Sequence, residues 1–184
     1  MVSSSQSLCL TCGLCCDGTL FSSVRLKQDD KVAPLKAVDI KFISNEDSNE
    51  FKQPCAAHKN CTCTVYRDRP QECRAYKCEL LKRFERNDIS YKFALEIINK
   101  MISLKNEVNA LARAASTNTQ SAEEIILLMK KWSKDRSIEA TKQSYAHVFL
   151  KFGVLQIYLD RFFRKKPLLA PPVSASDSPS KSPN

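Results

Sequence analysis

Glycine is scarce in this chain, with three among 184 residues. That excludes a glycine-rich loop of the kind that cradles phosphate or a dinucleotide. It also makes each glycine a candidate for a backbone position that no other residue fits. Histidine is scarcer still, with two, and neither stands beside paired carboxylates, so no general acid–base constellation shows in the sequence. No apolar run approaches the ~18 residues that would mark a membrane-spanning helix. The opening MVSSSQSLCL has neither the basic start nor the apolar core of a secretory signal. The expectation is a cytoplasmic setting, where thiols stay reduced. Cysteine is absent from the last 106 residues.

What is present is cysteine at the other end. All nine fall within the first 78 residues, at 9, 12, 15, 16, 55, 61, 63, 73 and 78. An odd, clustered set in a reducing compartment argues against a disulfide framework. So does geometry: a disulfide needs Cα atoms about 4.4–6.8 Å apart with converging Cβ vectors, which adjacent cysteines and Cys-x-Cys rarely offer. Metal ligation is the reading that remains favoured. Charge is uneven too. Residues 81–184 carry 18 Lys and Arg against 10 Asp and Glu, and so hold most of the net +9. A basic half suits nucleic acid or anionic lipid. Here the charges are spread singly along helical stretches, which reads as solvated faces. The densest cluster, Arg161, Arg164, Lys165 and Lys166, ends a helix, where cations suit the dipole. Neither nucleic acid nor membrane is expected as a partner; a protein partner remains open.

The expected fold is mainly α, with a small α+β cysteine-rich metal-binding N-terminal part over 1–86, a C-terminal helical bundle over 87–166 packing on it, and a disordered tail over 167–184. In the first part, Thr19–Leu26 and Val38–Phe42 alternate like strands that can pair with each other. Asp29–Ala37 reads as a short helix, and Ser44–Glu50, polar and acidic, as a loop. Asp68-Arg69-Pro70-Gln71 looks like a capping box opening one helix that runs to about Arg86, stopped by Asn87-Asp88. Beyond it, apolar steps of three and four mark helices over Ala94–Ala115 and Ala122–Trp132. A seam from Ile138 to Phe162 keeps the same steps and is suited to shallow-angle helix packing. Leu150, Val154 and Ile157 flank that seam and predict a central rather than peripheral helix. After Lys166, five prolines and five serines in eighteen residues mark the tail.

The cysteines form two runs: C-x2-C-x2-C-C at 9–16, then C55-x5-C61-x-C63-x9-C73-x4-C78. Thiolates so spaced are soft ligands for zinc or an iron–sulfur centre. Cys9, Cys12 and Cys15 have the C-x2-C-x2-C spacing that wraps a ferredoxin-type cluster, whose fourth ligand is remote. Cys15 and Cys16 diverge by about 100° if helical and about 180° if extended. Cys73 and Cys78 reach one metal only if a helix begins between them. An interleaved arrangement is the most economical. Three cysteines of the first run join one of the second, and Cys16 joins three of the second. The adjacent pair then gives one thiolate to each of two centres, or one to a cluster and one to its wall. Gly13 fits a loop that needs positive φ. His58, within CAAHKNC, is a further candidate ligand, whereas His147 beside the long seam reads as packed or surface-exposed. Arg69 and Arg74 are either surface arginines or donors to sulfur, since four thiolates on zinc leave a net charge near −2.

CLTCGLCCDGTLF followed by PCAAHKNCTCTVYRDRPQECRAYKCELL resembles the YkgJ-type family of zinc- or iron-chelating proteins, with its CxxCxxCC signature. Both halves of the pattern appear in order, across residues 9–85. The resemblance implies that Cys9, Cys12, Cys15, Cys16, Cys55, Cys63, Cys73 and Cys78 are the metal ligands. It also implies Zn or Fe, with a 4Fe-4S cluster as one form of the latter. Cys61 falls outside the pattern. The family includes the cysteine-rich part of flagellin lysine N-methylases. Three functions follow. The first is a cytosolic cysteine cluster protein that chelates zinc or iron. The second is an iron–sulfur enzyme modifying a protein side chain, and the third a helical adaptor with a basic face. No catalytic residue can be named from the sequence.

Overall fold

A computed structural model describes residues 4–45, 48–116, 122–132 and 145–164. The chain is mainly helical, and its longest helix, α5 (Tyr91–Ala115), organises the rest. Ser90 caps α5 by accepting the Phe93 N–H at 3.1 Å. Ala94, Ile98, Met101, Leu104, Val108 and Ala112 follow at steps of three and four, and all are buried. The helix stops where Ser116 turns extended and its hydroxyl donates to the Ala112 carbonyl.

α6 (Ala122–Trp132) and α7 (Ala146–Phe162) pack against α5. α6 contributes Ile125 and Met129 to the core, and α7 contributes Val148, Phe152, Leu155, Leu159 and Phe162. α1 (Ser4–Cys12) and α4 (Glu79–Glu85) also touch α5 and bring Leu8 and Leu80 into the same core, where Leu14 joins them. The Glu79 N–H donates to the Phe163 carbonyl at 3.1 Å, which ties the start of α4 to the end of α7.

A second, smaller core of Leu35, Ile40, Phe51 and Ala57 lies under a three-stranded antiparallel sheet. β1 (Ser23–Arg25) and β2 (Phe42–Asn45) flank β3 (Ser48–Lys52), with Val24 and Phe42 both opposite Phe51. α2 (Val32–Lys36) supplies Leu35. Next come the hairpin β4 (His58–Lys59) and β5 (Thr62–Cys63), a 3-10 turn at Tyr66–Asp68, and α3 (Gln71–Ala75). No helix among the described residues is long and apolar enough to cross a membrane.

Several local expectations are corrected. The stretch 44–50, read as a loop, holds the end of β2 and the start of the central strand β3, and the flanking strands pair with β3 rather than with each other. Its polar alternation hid a strand whose one buried apolar side chain is Phe51, while Glu50 bonds Ser23 of β1 at 2.7 Å. The helix expected from Gln71 to Arg86 is two helices, broken at Tyr76, whose backbone is extended. Asp68 does not cap it but accepts from Lys31. The Gln71 N–H is instead satisfied by Asp30, at 2.7 Å and 41 residues away, which no local pattern can show.

Among the described residues, helix α7 is packed on one side only. Leu150, Val154 and Ile157 are 66%, 41% and 66% exposed, because only the seam face meets α5 and α6. The part of the seam over 138–144, Lys165, Lys166 and the tail at 167–184 lie outside the described residues.

Asp30 accepts from the backbone of both Lys27 and Gln71. Asp30→Ala should therefore destabilise the protein by about 1 kcal/mol, as the loss of a helix cap does. A thermal melt of the two proteins checks it, with a midpoint lower by a few degrees as the expected result.

Candidate metal centre

The first cysteine run is shaped by the end of α1. Cys9 and Cys12 sit on its last turns, and Gly13 closes it at φ +63°, with its N–H bonded to the Cys9 carbonyl at 3.2 Å. This is the left-handed helix stop that favours glycine. The Cys16 and Asp17 amides then bond back to the Gly13 carbonyl, so Cys15 and Cys16 lie in a tight turn. Leu14, fully buried, fixes the turn to the main core. Asp17 pairs with Lys105 of α5 at 2.8 Å. Neither the helical nor the extended geometry expected for the adjacent pair applies. Turn geometry brings the Cys15 and Cys16 Sγ atoms to 3.7 Å of each other.

The second run is brought to the first by backbone. The Cys55 N–H donates to the Cys16 carbonyl at 2.8 Å. From there the His58 N–H bonds the Cys55 carbonyl, and the β4–β5 hairpin places Cys63 opposite His58. Cys73 rides on α3. The extended step at Tyr76 then puts Cys78 at the start of α4, so a helix does begin between the two cysteines. The Tyr76 ring packs edge-on against Phe21 at 4.7 Å.

All eight pattern cysteines line one cavity of about 570 Å³, and Cys61 and His58 share the lining. Every cysteine is free. Among the described residues, no three His, Cys, Asp or Glu side chains already stand where one ion could be held. The fold supplies a sulfur-lined enclosure rather than a closed coordination polyhedron.

The thiols sense one another in two groups. Burial raises Cys12, and the charges of Cys78, Cys15 and Cys9 raise it further. Burial pushes Cys78 up to about 11, with Cys9 and Cys15 adding to it, while the Leu81 and Leu80 amides at the start of α4 act against it. Cys9 is an exposed residue, but partial burial of its sulfur raises it, and Cys15 adds to the effect. On the other side, burial pushes Cys73 up to about 12, helped by Cys55, Cys15 and Cys63. Burial likewise raises Cys55, with Cys63 and Cys15 contributing. The Cys15–Cys16 pair joins the groups. Its mutual hydrogen bond lets the first proton leave easily from Cys15 and holds the second on Cys16, which Cys73 and Cys55 also raise.

Arg69, anticipated as a donor to sulfur, lies 4.0 Å above the Tyr66 ring, and its charge lowers Cys9, Cys15 and Cys73. Arg74 is exposed. Lys77, missed in the sequence, also lowers Cys9. Its position beside Cys78 was the available signal. His147 is exposed on α7.

Residues 8–95 match the family CxxCxxCC, described as a "Putative zinc- or iron-chelating domain". No curated protein and no solved structure matches the chain. The matched stretch runs from within α1 to the first turns of α5 and includes every cysteine. Its lining fits a thiophilic ion. Sulfur dominates the donors, as zinc and iron–sulfur centres require, and His58 Nε2 is buried with no hydrogen-bond partner.

Two expectations follow. A Cβ on Gly13 would stand 2.8 Å from the His58 ring at a φ that L-residues resist. Gly13→Ala should therefore cost more than the ~1 kcal/mol of the backbone conformation alone, and His58→Ala should restore part of the loss. A urea-melt double-mutant cycle measures both. Metal uptake should also be proton-linked. The buried thiols are protonated near neutral pH because their pKa values are raised, and ligation needs thiolate. Zn²⁺ added to reduced, metal-free protein at pH 7 should therefore release protons, seen with an indicator dye in weak buffer. The affinity should rise with pH, because the bound form is the deprotonated one.

Proposed function

We propose that this zinc- or iron-chelating protein holds its metal in two four-thiolate centres that share a wall at Cys15–Cys16. Cys9, Cys12, Cys15 and Cys78 make one, and Cys16, Cys55, Cys63 and Cys73 the other. One observation carries this reading. The thiol of Cys78 is raised by Cys9 and Cys15, whereas Cys16 is raised by Cys55 and Cys73, and 3.7 Å separates the Sγ atoms of the adjacent pair. Bound there, zinc would supply a charge-dense crosslink, and an iron–sulfur cluster would add one-electron chemistry. The residues do the rest. Arg69 and Lys77 offset the negative charge of assembled thiolates, the buried Leu8 and Leu80 exclude water from one wall, and the Cys55–Cys16 backbone bond holds the runs in register.

A cavity of about 570 Å³ favours an inorganic cluster over lone ions, since one water takes up only ~30 Å³ of liquid volume. The cytosol, where nine free thiols would stay reduced, is the compartment this reading fits. Elemental analysis and an absorption spectrum of protein purified without oxygen decide the metal. Brown protein with iron and acid-labile sulfide supports the cluster; colourless protein with zinc supports zinc.

The pairing itself is tested by substitution. Cys12→Ser and Cys78→Ser should each lower the metal content by roughly half, as the loss of one of two closed sites would. The double variant should lower it no further, while Cys12→Ser with Cys63→Ser should remove nearly all. Equal losses from every pair would overturn the grouping.

A further inference from the structure

His58 and Cys61 line the same cavity but belong to neither proposed centre. The turn that carries Cys61 is unusual. Asn60 and Cys61 stand at φ 49° and 59° between β4 and β5, the arrangement of a two-residue hairpin turn. The second position of such a turn favours glycine. Asparagine tolerates the left-handed region through local hydrogen bonding, but cysteine has no such relief. Cys61 is exposed, so burial of its side chain does not offset the strain.

The consequence of this backbone is where the sulfur goes. Cys61 Sγ lies 4.0 Å from the point a Gly13 Cβ would occupy, and His58 Cε1 and Nε2 lie 2.8 Å from that same point. A thiol and an imidazole nitrogen thus gather over one stretch of bare backbone, on a side that only a glycine leaves open. His58 Nε2 is buried and has no hydrogen-bond partner. An unpaired buried nitrogen is costly to the fold and has an acceptor lone pair or a proton to offer.

We propose that His58 and Cys61 form a separate, exchangeable metal site at the lip of the cysteine cavity, taking a borderline-soft divalent ion such as Zn²⁺ or Fe²⁺. The inference rests on the two-centre reading, because it assigns the donors those centres leave over. With one nitrogen and one sulfur from the protein, such an ion keeps open positions for water or an incoming thiolate. It is therefore held less tightly than an ion inside four thiolates, and it sits beside the inner donors. The site acts as a point of entry.

Co²⁺ is the probe, titrated into reduced, metal-free full-length protein and followed by its thiolate charge-transfer and ligand-field absorption. Cys61→Gly places the residue the turn favours, so loss of folding does not confound it; His58→Ala is the second variant. The wild type should bind one equivalent more than either variant. That equivalent should leave to a competing chelator roughly tenfold faster or more than the rest, in line with the loss of supporting ligands. Both variants should keep the remaining equivalents. If either variant binds as many ions as the wild type, or if His58→Ala empties the cysteine centres as well, the outer site does not exist. If the wild type binds no Co²⁺ at all, the two-centre reading falls and this inference with it.

Discussion

Two runs of cysteine about forty residues apart must face one another across a single cavity, and the rest of the fold serves that constraint. Neither run could hold its shape alone. The first is a helix end and a turn; the second is a hairpin with a two-residue turn, a short helix and a helix start. Their relative position comes from burial of Leu8, Leu14 and Leu80 against α5 and from the Cys55 amide on the Cys16 carbonyl. Apolar burial is strong but non-directional, and the backbone bond adds the direction. Long helices in the second half thus act as the anvil on which a metal domain with few apolar residues of its own is shaped.

The same burial sets the electrostatics. Thiols crowded under apolar walls are easier to keep protonated, so the raised values at Cys12, Cys73 and Cys78 share a cause with the packing that assembles them. A cation reverses that logic, because a metal-bound thiol is deprotonated outright. Charge enters the cavity only with something to balance it, and Arg69 lies where it can share that task once thiolates outnumber ionic charge.

Much of the chain was legible in advance where the signal was local. The steps of three and four along α5 and α6 named their buried faces, and Gly13 announced a positive φ that +63° bears out, though not the helix it closes. The cysteine spacing marked one chelating domain, and the family match covers it. Where the sequence misled, the deciding partner was far away. Nothing in Ser48–Lys52 says that two other strands will flank it, and nothing near Gln71 says that Asp30 will cap it. Leu150, Val154 and Ile157 promised burial by period alone, yet period says which residues share a face and not whether another element covers it.

By itself, then, the sequence determined the chemistry. Soft sulfur donors in excess, all within the first 78 residues, point to a thiophilic metal before any coordinate is known, because ligand softness is a property of the side chain. Only the tertiary structure decided which sulfurs are neighbours. It set Cys15 and Cys16 3.7 Å apart in a turn, and it brought Cys78 to the Cys9–Cys12 side and Cys73 to the Cys55 side. Those neighbours depend on a break between two helices and on two cores, the main one under Cys12 and Cys78 and the smaller one under Cys55, Cys63 and Cys73, and these are set by packing between segments that the linear order keeps apart.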